Sequence, residues 1–249
     1  MWSRRYIRNL TGYAVTATLI ISVATRIECT TVVMYRSSSQ IVVGADTFLH
    51  ENTPAGSSRS GHICKIRKKK HIYLTMAGFA SQTHTGYNAF NLALNAITHS
   101  TDIVSAAQQF IQIGSKPFQQ ALTFERSVRP KEYEKWIKNR DPEALQVLFM
   151  GMERGTPTVA VVAFTISEDA HRRILVISSL HTCPGDRCPP VGPGLEGLLF
   201  VGIGEHKAVD RISKEPSFPT ELRRDPVFTI RRVIEAQIRD TPTYVTAPN

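Results

Sequence analysis

The chain has 249 residues, of which 42% are hydrophobic and 20% are charged, as is ordinary for a globular protein with one sizeable core. Its formal net charge is +9, but leaving out residues 1–29 removes four arginines and one glutamate, so that 26 basic and 20 acidic side chains give +6. The remaining basic residues are scattered except at 65–70, where no aromatic residues are interleaved. Charge and composition therefore argue against a nucleic-acid partner, and the basic run is expected to be a solvated turn.

The first 29 residues differ from the rest of the chain. Three arginines, Arg4, Arg5 and Arg8, precede the apolar run 13–24, which is too short and too rich in threonine to span a bilayer but has the size of a signal h-region. We predict that 1–29 is a signal peptide or propeptide-like leader. The remainder is expected to be exported, to the periplasm or outside the cell, with no membrane contact after leader removal. A retained membrane anchor and a disordered leader are the alternatives.

Two apolar runs, 32–34 and 41–43, follow the leader and are separated by the serines at 37–39, which are typical of a turn. This pattern predicts an antiparallel hairpin. Because the apolar residues are consecutive, both faces of the hairpin are expected to be covered. Thr30 and Asp46 lie at equal distances from its centre, so the two residues should be within one or two cross-strand positions of each other.

A second hairpin is predicted after a Gly/Ser/Pro-rich loop at 51–61, with strands at 63–66 and 72–77. Lys65 is the charged residue in the first of these strands. A lysine that points into a packed sheet needs a carboxylate partner, and Asp46 is the available one. The sequence therefore predicts an ion pair between these two side chains.

The rest of the chain alternates between helical and strand-like patterns. In chain order, the spacing of apolar residues predicts helices over 87–97, 103–111 and 131–138, a third hairpin over 158–166 and 174–178, an apolar stretch over 198–204, a helix towards 212, and a last helix from 225–226. Asp102 is expected to cap the second helix. Strands and helices in this order predict an α+β fold, with sheets at the centre and helices outside, in a single domain over 30–249.

The cysteines give a modest indication of the redox compartment. Cys183 and Cys188 flank a Pro/Gly-rich loop and would close a small disulfide in an oxidising compartment. A zinc site that also uses His181 is the alternative, although a fourth ligand at a suitable spacing is missing. Cys64 is expected to be a buried small hydrophobe.

Four short motifs follow one another in a defined order: TT at 30–31, GAD at 44–46, KI at 65–66 and TMAG at 75–78. The aspartate of GAD comes sixteen residues after the first threonine, and the glycine of TMAG thirteen residues after the lysine. This arrangement resembles the proteasome β-subunit family of N-terminal nucleophile (Ntn) hydrolases. The resemblance is strongest from 30 to 82, and it implies a four-layer αββα sandwich of two mainly antiparallel sheets flanked by helices.

The resemblance also implies site residues. Thr30 matches the nucleophile, which becomes the first residue of the chain when the Cys29–Thr30 bond is cleaved by autoprocessing. Asp46 matches the aspartate that holds the lysine, Lys65 matches the lysine beside the threonine hydroxyl, and Gly78 matches the glycine whose N–H stabilises the oxyanion. These four residues are the core of the predicted catalytic site.

Weaker parts of the resemblance lie nearer the C-terminus. Asp240 resembles the family's second aspartate, and Thr243 stands where a serine usually follows. Glu205 occupies the position at which an active-site serine follows the glycine pair Gly202/Gly204. Asp240 and Thr243 are therefore included in the predicted site, while Glu205 departs from the family pattern.

The chemistry gives independent reasons for these residue types. A threonine hydroxyl needs a base to accept its proton, and a free α-amine, with an unperturbed pKa of about 7.7–8.0, suits neutral pH better than a lysine at about 10.4. The ammonium of Lys65 would favour the developing alkoxide and lower the pKa of that amine. A glycine leaves its N–H open to the oxyanion, and such a donor contributes roughly 3–4 kcal/mol. No metal or organic cofactor is implied.

Three interpretations follow from these residues. The first is a threonine-type amide hydrolase, most simply a peptidase, that acts on a peptide or amide substrate and assembles as a homo-oligomer or ring. The second is a catalytically inactive scaffold or binding subunit of the same fold, and the third is a small-molecule amidase. Cys29 is a competing nucleophile, but its spacing to Asp46 is one residue longer, which would turn its side chain to the opposite face of the sheet.

Overall fold

The computed structural model describes residues 25–28, 31–46, 48–52, 58–62, 64–131, 133–134, 143–183, 199–204 and 207–240. The strands are β1 Thr25–Glu28, β2 Thr31–Arg36, β3 Ile41–Ala45, β4 Phe48–Asn52, β5 Ser58–His62, β6 Arg67–Lys69, β7 Ile72–Gln82, β8 Tyr87–Asn88, β9 Glu143–Glu153, β10 Thr156–Glu168, β11 Ile174–Cys183 and β12 Leu199–Gly204. The helices are α1 Ala89–Thr98, α2 Ile103–Val128, α3 Lys207–Ile212, α4 Phe218–Arg224 and α5 Pro226–Asp240.

The described strands form two antiparallel sheets. The larger sheet has the order β11-β10-β9-β7-β1-β4-β5, with β6 and β8 also paired to β7, and the smaller sheet has the order β12-β2-β3. One hydrophobic cluster joins the larger sheet to α1 and α2, a second joins the smaller sheet to α3, α4 and α5, and a third lies between the sheets. The molecule is therefore a four-layer α+β sandwich: the order of elements in the sequence predicts the α+β class, and the resemblance implies the four layers.

The central strand of the smaller sheet is covered on both faces. Val33 and Tyr35 of β2 pack against the helices, whereas Val32 and Met34 pack against the larger sheet. Consecutive apolar residues suit such a strand because successive side chains point to opposite faces. The predicted hairpin is confirmed as β2 and β3, in which Arg36 pairs with Ile41 and Val32 with Ala45.

Several elements differ from the sequence predictions. The segment expected to be a loop, 51–61, includes the end of β4 and most of β5, and these two strands pair with each other. The residues of the two strands within this segment are polar or glycine, so no alternation of apolar residues indicates a strand there. β9 was not predicted, yet it lies between β7 and β10 in the larger sheet. Cys64 is exposed rather than buried, and its thiol donates to the carbonyl of Ile66 at 3.1 Å.

Other predictions are confirmed, or fall outside the described residues. The third hairpin is present as β10 and β11, and the last helix begins at Pro226 as expected. The h-region at 13–24 and most of the helix predicted over 131–138 lie outside the described residues. None of the described helices is both long and apolar enough to cross a membrane.

The second helix begins at the residue that the sequence identified as its cap. Asp102 has an extended backbone, and its Oδ1 accepts a hydrogen bond from the backbone N–H of Ser105 at 2.7 Å. Its Oδ2 accepts from the Ser105 hydroxyl at 2.6 Å. The pKa of the Asp102 carboxyl is lowered, first by the hydroxyl of Ser105 and then by its backbone N–H. The charged carboxylate therefore stabilises the start of α2.

Replacing Asp102 with alanine should lower the free energy of unfolding by about 1 kcal/mol at neutral pH, because an N-cap acceptor is lost. A lowered pKa in the folded state means that this stabilisation is present above the ordinary value of 3.8 and is lost as the pH falls through the folded pKa. Urea unfolding of both proteins at pH 7 and near pH 3 should show the difference shrinking in acid. D102N, which keeps a capping oxygen, is the control and should show no such shrinkage.

Candidate functional site

A buried ion pair lies where the first hairpin ends. Nζ of Lys65 donates to Oδ1 of Asp46 at 2.6 Å, and the two side chains are 0% and 8% exposed. Burying two charges is costly unless they are paired and hydrogen-bonded, as they are here. The structure thus contains the pair that the sequence predicts.

The second oxygen of the same carboxylate fixes the start of β2. Oδ2 of Asp46 accepts from the backbone N–H of Thr31 at 2.6 Å, and the backbone N–H of Asp46 donates to the carbonyl of Thr31 at 3.1 Å. Asp46 therefore joins Lys65 to the residue that follows Thr30. Thr30 itself, the predicted nucleophile, lies outside the described residues.

Lys65 reaches Asp46 from a different position than the sequence suggested. The expected strand at 63–66 is wrong: Lys65 belongs to a non-strand segment, and β6 begins at Arg67. The turn falls at Lys70, which has a φ of 53°, and His71, so β6 consists of the basic residues themselves. Because Lys65 precedes the strand, its orientation is set by its partner and not by sheet alternation.

Two basic side chains of β6 lie over aromatic rings, which helps a charged run to form a strand. The guanidinium of Arg67 lies 4.3 Å from the ring centroid of Phe90, and the ammonium of Lys68 lies 5.0 Å from that of Tyr73. Cations at such distances from aromatic rings are attracted to them. Two of the three basic side chains of β6 are therefore packed on aromatic rings.

Gly78 lies on β7, the strand that pairs with β6, and has a backbone conformation that residues with a side chain rarely adopt. Its φ is +101°, and a Cβ added to it would lie 2.3 Å from the carbonyl oxygen of Ala144 on β9. No side chain fits this close approach of two backbones. Gly78 pairs with Leu145 on one side and with Glu28 of β1 on the other.

The chain crosses from the larger to the smaller sheet beside this glycine. Glu28 is the last residue of β1, and Thr31 is the first residue of β2. Only two residues separate them, so their Cα atoms lie at most about 11 Å apart. The predicted scissile bond is one of the peptide bonds in this crossing. The crossing joins β1, which pairs with Gly78, to β2, whose first residue is hydrogen-bonded to Asp46.

Strand β1, at the end of the predicted leader, pairs on both of its edges. Residues 25–28 pair antiparallel with 78–82 of β7, and residues 25–26 pair with 51–52 of β4. In the order of the sheet, β1 separates β7 from the β4–β5 hairpin. An extended peptide segment therefore occupies the space directly before the predicted scissile bond.

A polar side chain that is not among the predicted site residues joins the two sheets near these residues. Gln146 is opposite Ala77 in the register of β7 and β9, and its Oε1 accepts from the backbone N–H of Gly204 at 3.0 Å. Gly204 is in turn the register partner of Thr31. A lone glutamine in the apolar run 144–150 was a signal of the same kind as Lys65, but β9 itself was not predicted.

Asp240, from the C-terminal part of the predicted site, has a partner other than Asp46 or Lys65. Oδ2 of Asp240 accepts from Nη2 of Arg211 at 2.5 Å, and 40% of the Asp240 side chain is exposed. Across the described residues, no hydrogen bond or ion pair joins Asp240 to Asp46 or Lys65. Thr243 and Glu205 lie outside the described residues.

The cysteine and metal predictions have different outcomes. Cys183 is disulfide-bonded, and Cys188, its predicted partner, lies outside the described residues. Within the described part of the chain, no group of three or more histidine, cysteine, aspartate or glutamate side chains is arranged to hold a metal ion.

Comparison with protein-family models finds no match for this chain, and comparison with curated proteins finds none either. The resemblance to the Ntn hydrolases therefore depends on the four motifs of the sequence. Within these motifs, Asp46, Lys65, Gly78 and Thr31 are described, and they lie around one crossing between the two sheets.

Proposed function

We propose that the protein is a threonine-type amide hydrolase, most simply a peptidase, whose nucleophile is Thr30 after release of the leader. One observation carries the proposal: the buried Lys65–Asp46 ion pair, whose carboxylate also accepts from the N–H of Thr31. A buried lysine beside a strand terminus has no need to be there for folding alone, since ion pairs of this kind are seldom more stabilising than apolar residues of similar size.

The first reaction is the processing of the chain itself. The Thr30 hydroxyl adds to the carbonyl carbon of Cys29, and the N–H of Gly78 stabilises the oxyanion. Collapse breaks the Cys29–Thr30 C–N bond and leaves an ester between the Cys29 carbonyl carbon and the Thr30 oxygen, while the nitrogen takes the hydroxyl proton. Water then cleaves the ester, which leaves a carboxyl group on Cys29 and frees the hydroxyl and α-amine of Thr30.

The second reaction is turnover of substrate. The free α-amine of Thr30 accepts the hydroxyl proton as the oxygen attacks the substrate carbonyl, and it returns that proton to the leaving amine. The acyl group remains as an ester on Thr30 until water hydrolyses it. The ammonium of Lys65, held by Asp46, stabilises the negative charge that develops on the threonine oxygen.

The position of β1 favours peptides over small amides as substrates. The leader forms backbone ladders with both β7 and β4. After processing, a departing leader would leave the facing edges of these strands with unpaired N–H and C=O groups, which an extended peptide satisfies by strand addition. The last residues of the leader would thus be the first peptide to occupy this groove.

Thr30→Ala should abolish hydrolysis of peptide amides, because it removes the proposed nucleophile and leaves Thr31, whose side chain points to the opposite face of the strand, as the neighbouring hydroxyl. The measurement is release of a fluorescent amine from a panel of peptide and small-amide substrates, with Thr31→Val as the matched control on the adjacent threonine. Full activity of Thr30→Ala toward both classes would contradict the hydrolase. Activity of the wild type on small amides alone would favour the amidase. No activity in any protein would favour the inactive scaffold, which the double pairing of β1 also supports.

A further inference from the structure

Gln146 on β9 is a polar group outside the predicted catalytic set that connects the two sheets. Its side chain leaves the larger sheet and accepts from the N–H of Gly204 on the smaller sheet at 3.0 Å. At the opposite end of β2, Nε of Arg36 donates to the carbonyl of Pro157 on β10 at 2.7 Å. The two sheets are therefore cross-linked by side chains at both ends of β2, and Gln146 makes the link at the end where Thr31 begins.

The orientation of the Gln146 amide is set by a carboxylate. Its Nε2 donates to Oε2 of Glu143, on the same strand. A carboxylate has no hydrogen to donate, so the amide nitrogen faces Glu143, and the amide oxygen is then turned toward Gly204. The bond to Glu143 thus directs the amide oxygen of Gln146, an acceptor, to the backbone N–H of Gly204 at the end of β12.

This contact connects the two groups between which the proposed reaction occurs. On the larger sheet, Gln146 is next to Leu145, which pairs with Gly78, the proposed oxyanion donor. On the smaller sheet, Gly204 pairs with Thr31, which follows the proposed nucleophile. A change in the separation of the sheets here alters the distance between nucleophile and oxyanion donor. Misplacement of reacting groups by about 1 Å is enough to cost about 100-fold in rate.

We propose that Gln146 is a positioning residue for the hydrolase, which fixes the separation of the strand carrying Gly78 from the strand that begins after Thr30. The inference deepens the proposed function and rests on it. Gln146 itself contacts Gly204 and Glu143, so its effect on the reaction is transmitted through the backbone of β12 and β2.

The test compares Gln146→Met with Gln119→Met on the processed protein. Gln119 also makes a side-chain bond to another element, from α2 to the carbonyl of Ile174, but on the helix-covered face of the larger sheet. We expect Gln146→Met to lower kcat about 30- to 100-fold with KM changed by less than about two-fold, and Gln119→Met to leave both unchanged. Urea unfolding of both variants compares their stabilities.

A swap of the two polar groups keeps the inference testable if Gln146→Met does not fold. The double variant E143Q/Q146E retains an amide-to-carboxylate bond between the two positions and an oxygen acceptor for Gly204, so it should recover kcat to within about five-fold of wild type. If Gln146→Met matches Gln119→Met in kcat, or if the folded swap remains about 30-fold or more slower than wild type, the inference is overturned while the hydrolase stands. A wild type that neither exposes Thr30 nor cleaves amides overturns both.

Discussion

Lys65→Met should lower the free energy of unfolding by about 3–5 kcal/mol and abolish processing and hydrolysis. The substitution removes the ammonium 2.6 Å from a buried carboxylate, and breaking a buried pair from one side is far more costly than removing both charges. Stability is measured by urea unfolding, and processing by the intact mass of the purified chain.

The double variant D46N/K65M separates folding from chemistry. It buries no charge, and an asparagine oxygen still accepts from the N–H of Thr31, as Oδ2 of Asp46 does. We expect it to regain most of the stability lost in Lys65→Met but none of the activity. A stable and active Lys65→Met variant would show that the ion pair has no part in the chemistry.

Gly78→Ala should lower the free energy of unfolding by about 2–6 kcal/mol. Its φ of +101° is strained for any side chain, and the added Cβ would lie 2.3 Å from the carbonyl oxygen of Ala144, a backbone atom that cannot rotate away. Backbone strain and overpacking each contribute about 1–3 kcal/mol. Urea unfolding gives the value.

Gly155→Ala is the matched control for this substitution. Gly155 also has a positive φ, of +79°, but an added Cβ would meet no atom within 4 Å. Gly155→Ala should lower the free energy of unfolding by only about 1–2 kcal/mol, because the left-handed backbone conformation is its only source of strain. If Gly78→Ala and Gly155→Ala lower the free energy of unfolding by the same amount, the close approach of β7 and β9 does not contribute to the cost of Gly78→Ala.

The hairpin and the ion pair were predictable because they depend on local patterns. The sequence places Thr30 and Asp46 at equal distances from the turn, and the observed register, one residue away from that symmetry, brings Asp46 beside Thr31. A lone lysine in an apolar run indicates a buried partner. The strand assignment of Lys65 failed because the turn falls at Lys70 and His71, one or two residues later than its basic composition suggested. Amino-acid composition shows that a turn is present more reliably than it shows at which residues the turn falls.

The rest of the site depends on pairings between distant parts of the chain. β1 has the sequence TRIE and forms a strand only because β7 and β4 provide backbone partners on both edges. β9 follows a polar segment, and its apolar run, like that of a buried helix, has no alternation to identify it. The role of Gln146 requires both β9 and the placement of β12, so no local pattern could predict it. Asp240 was assigned from the resemblance alone, and its exposed carboxylate contacts Arg211 instead.

The N-terminal residue of the purified protein tests the central claim most directly. Intact-mass measurement together with terminal sequencing should find a chain that begins at Thr30, with residues 30–249 intact, and Thr30→Ala should retain the bond between Cys29 and the substituted residue. A wild-type chain that begins at Cys29, or that still carries its leader after expression in a host that exports it, would contradict the proposed self-processing hydrolase.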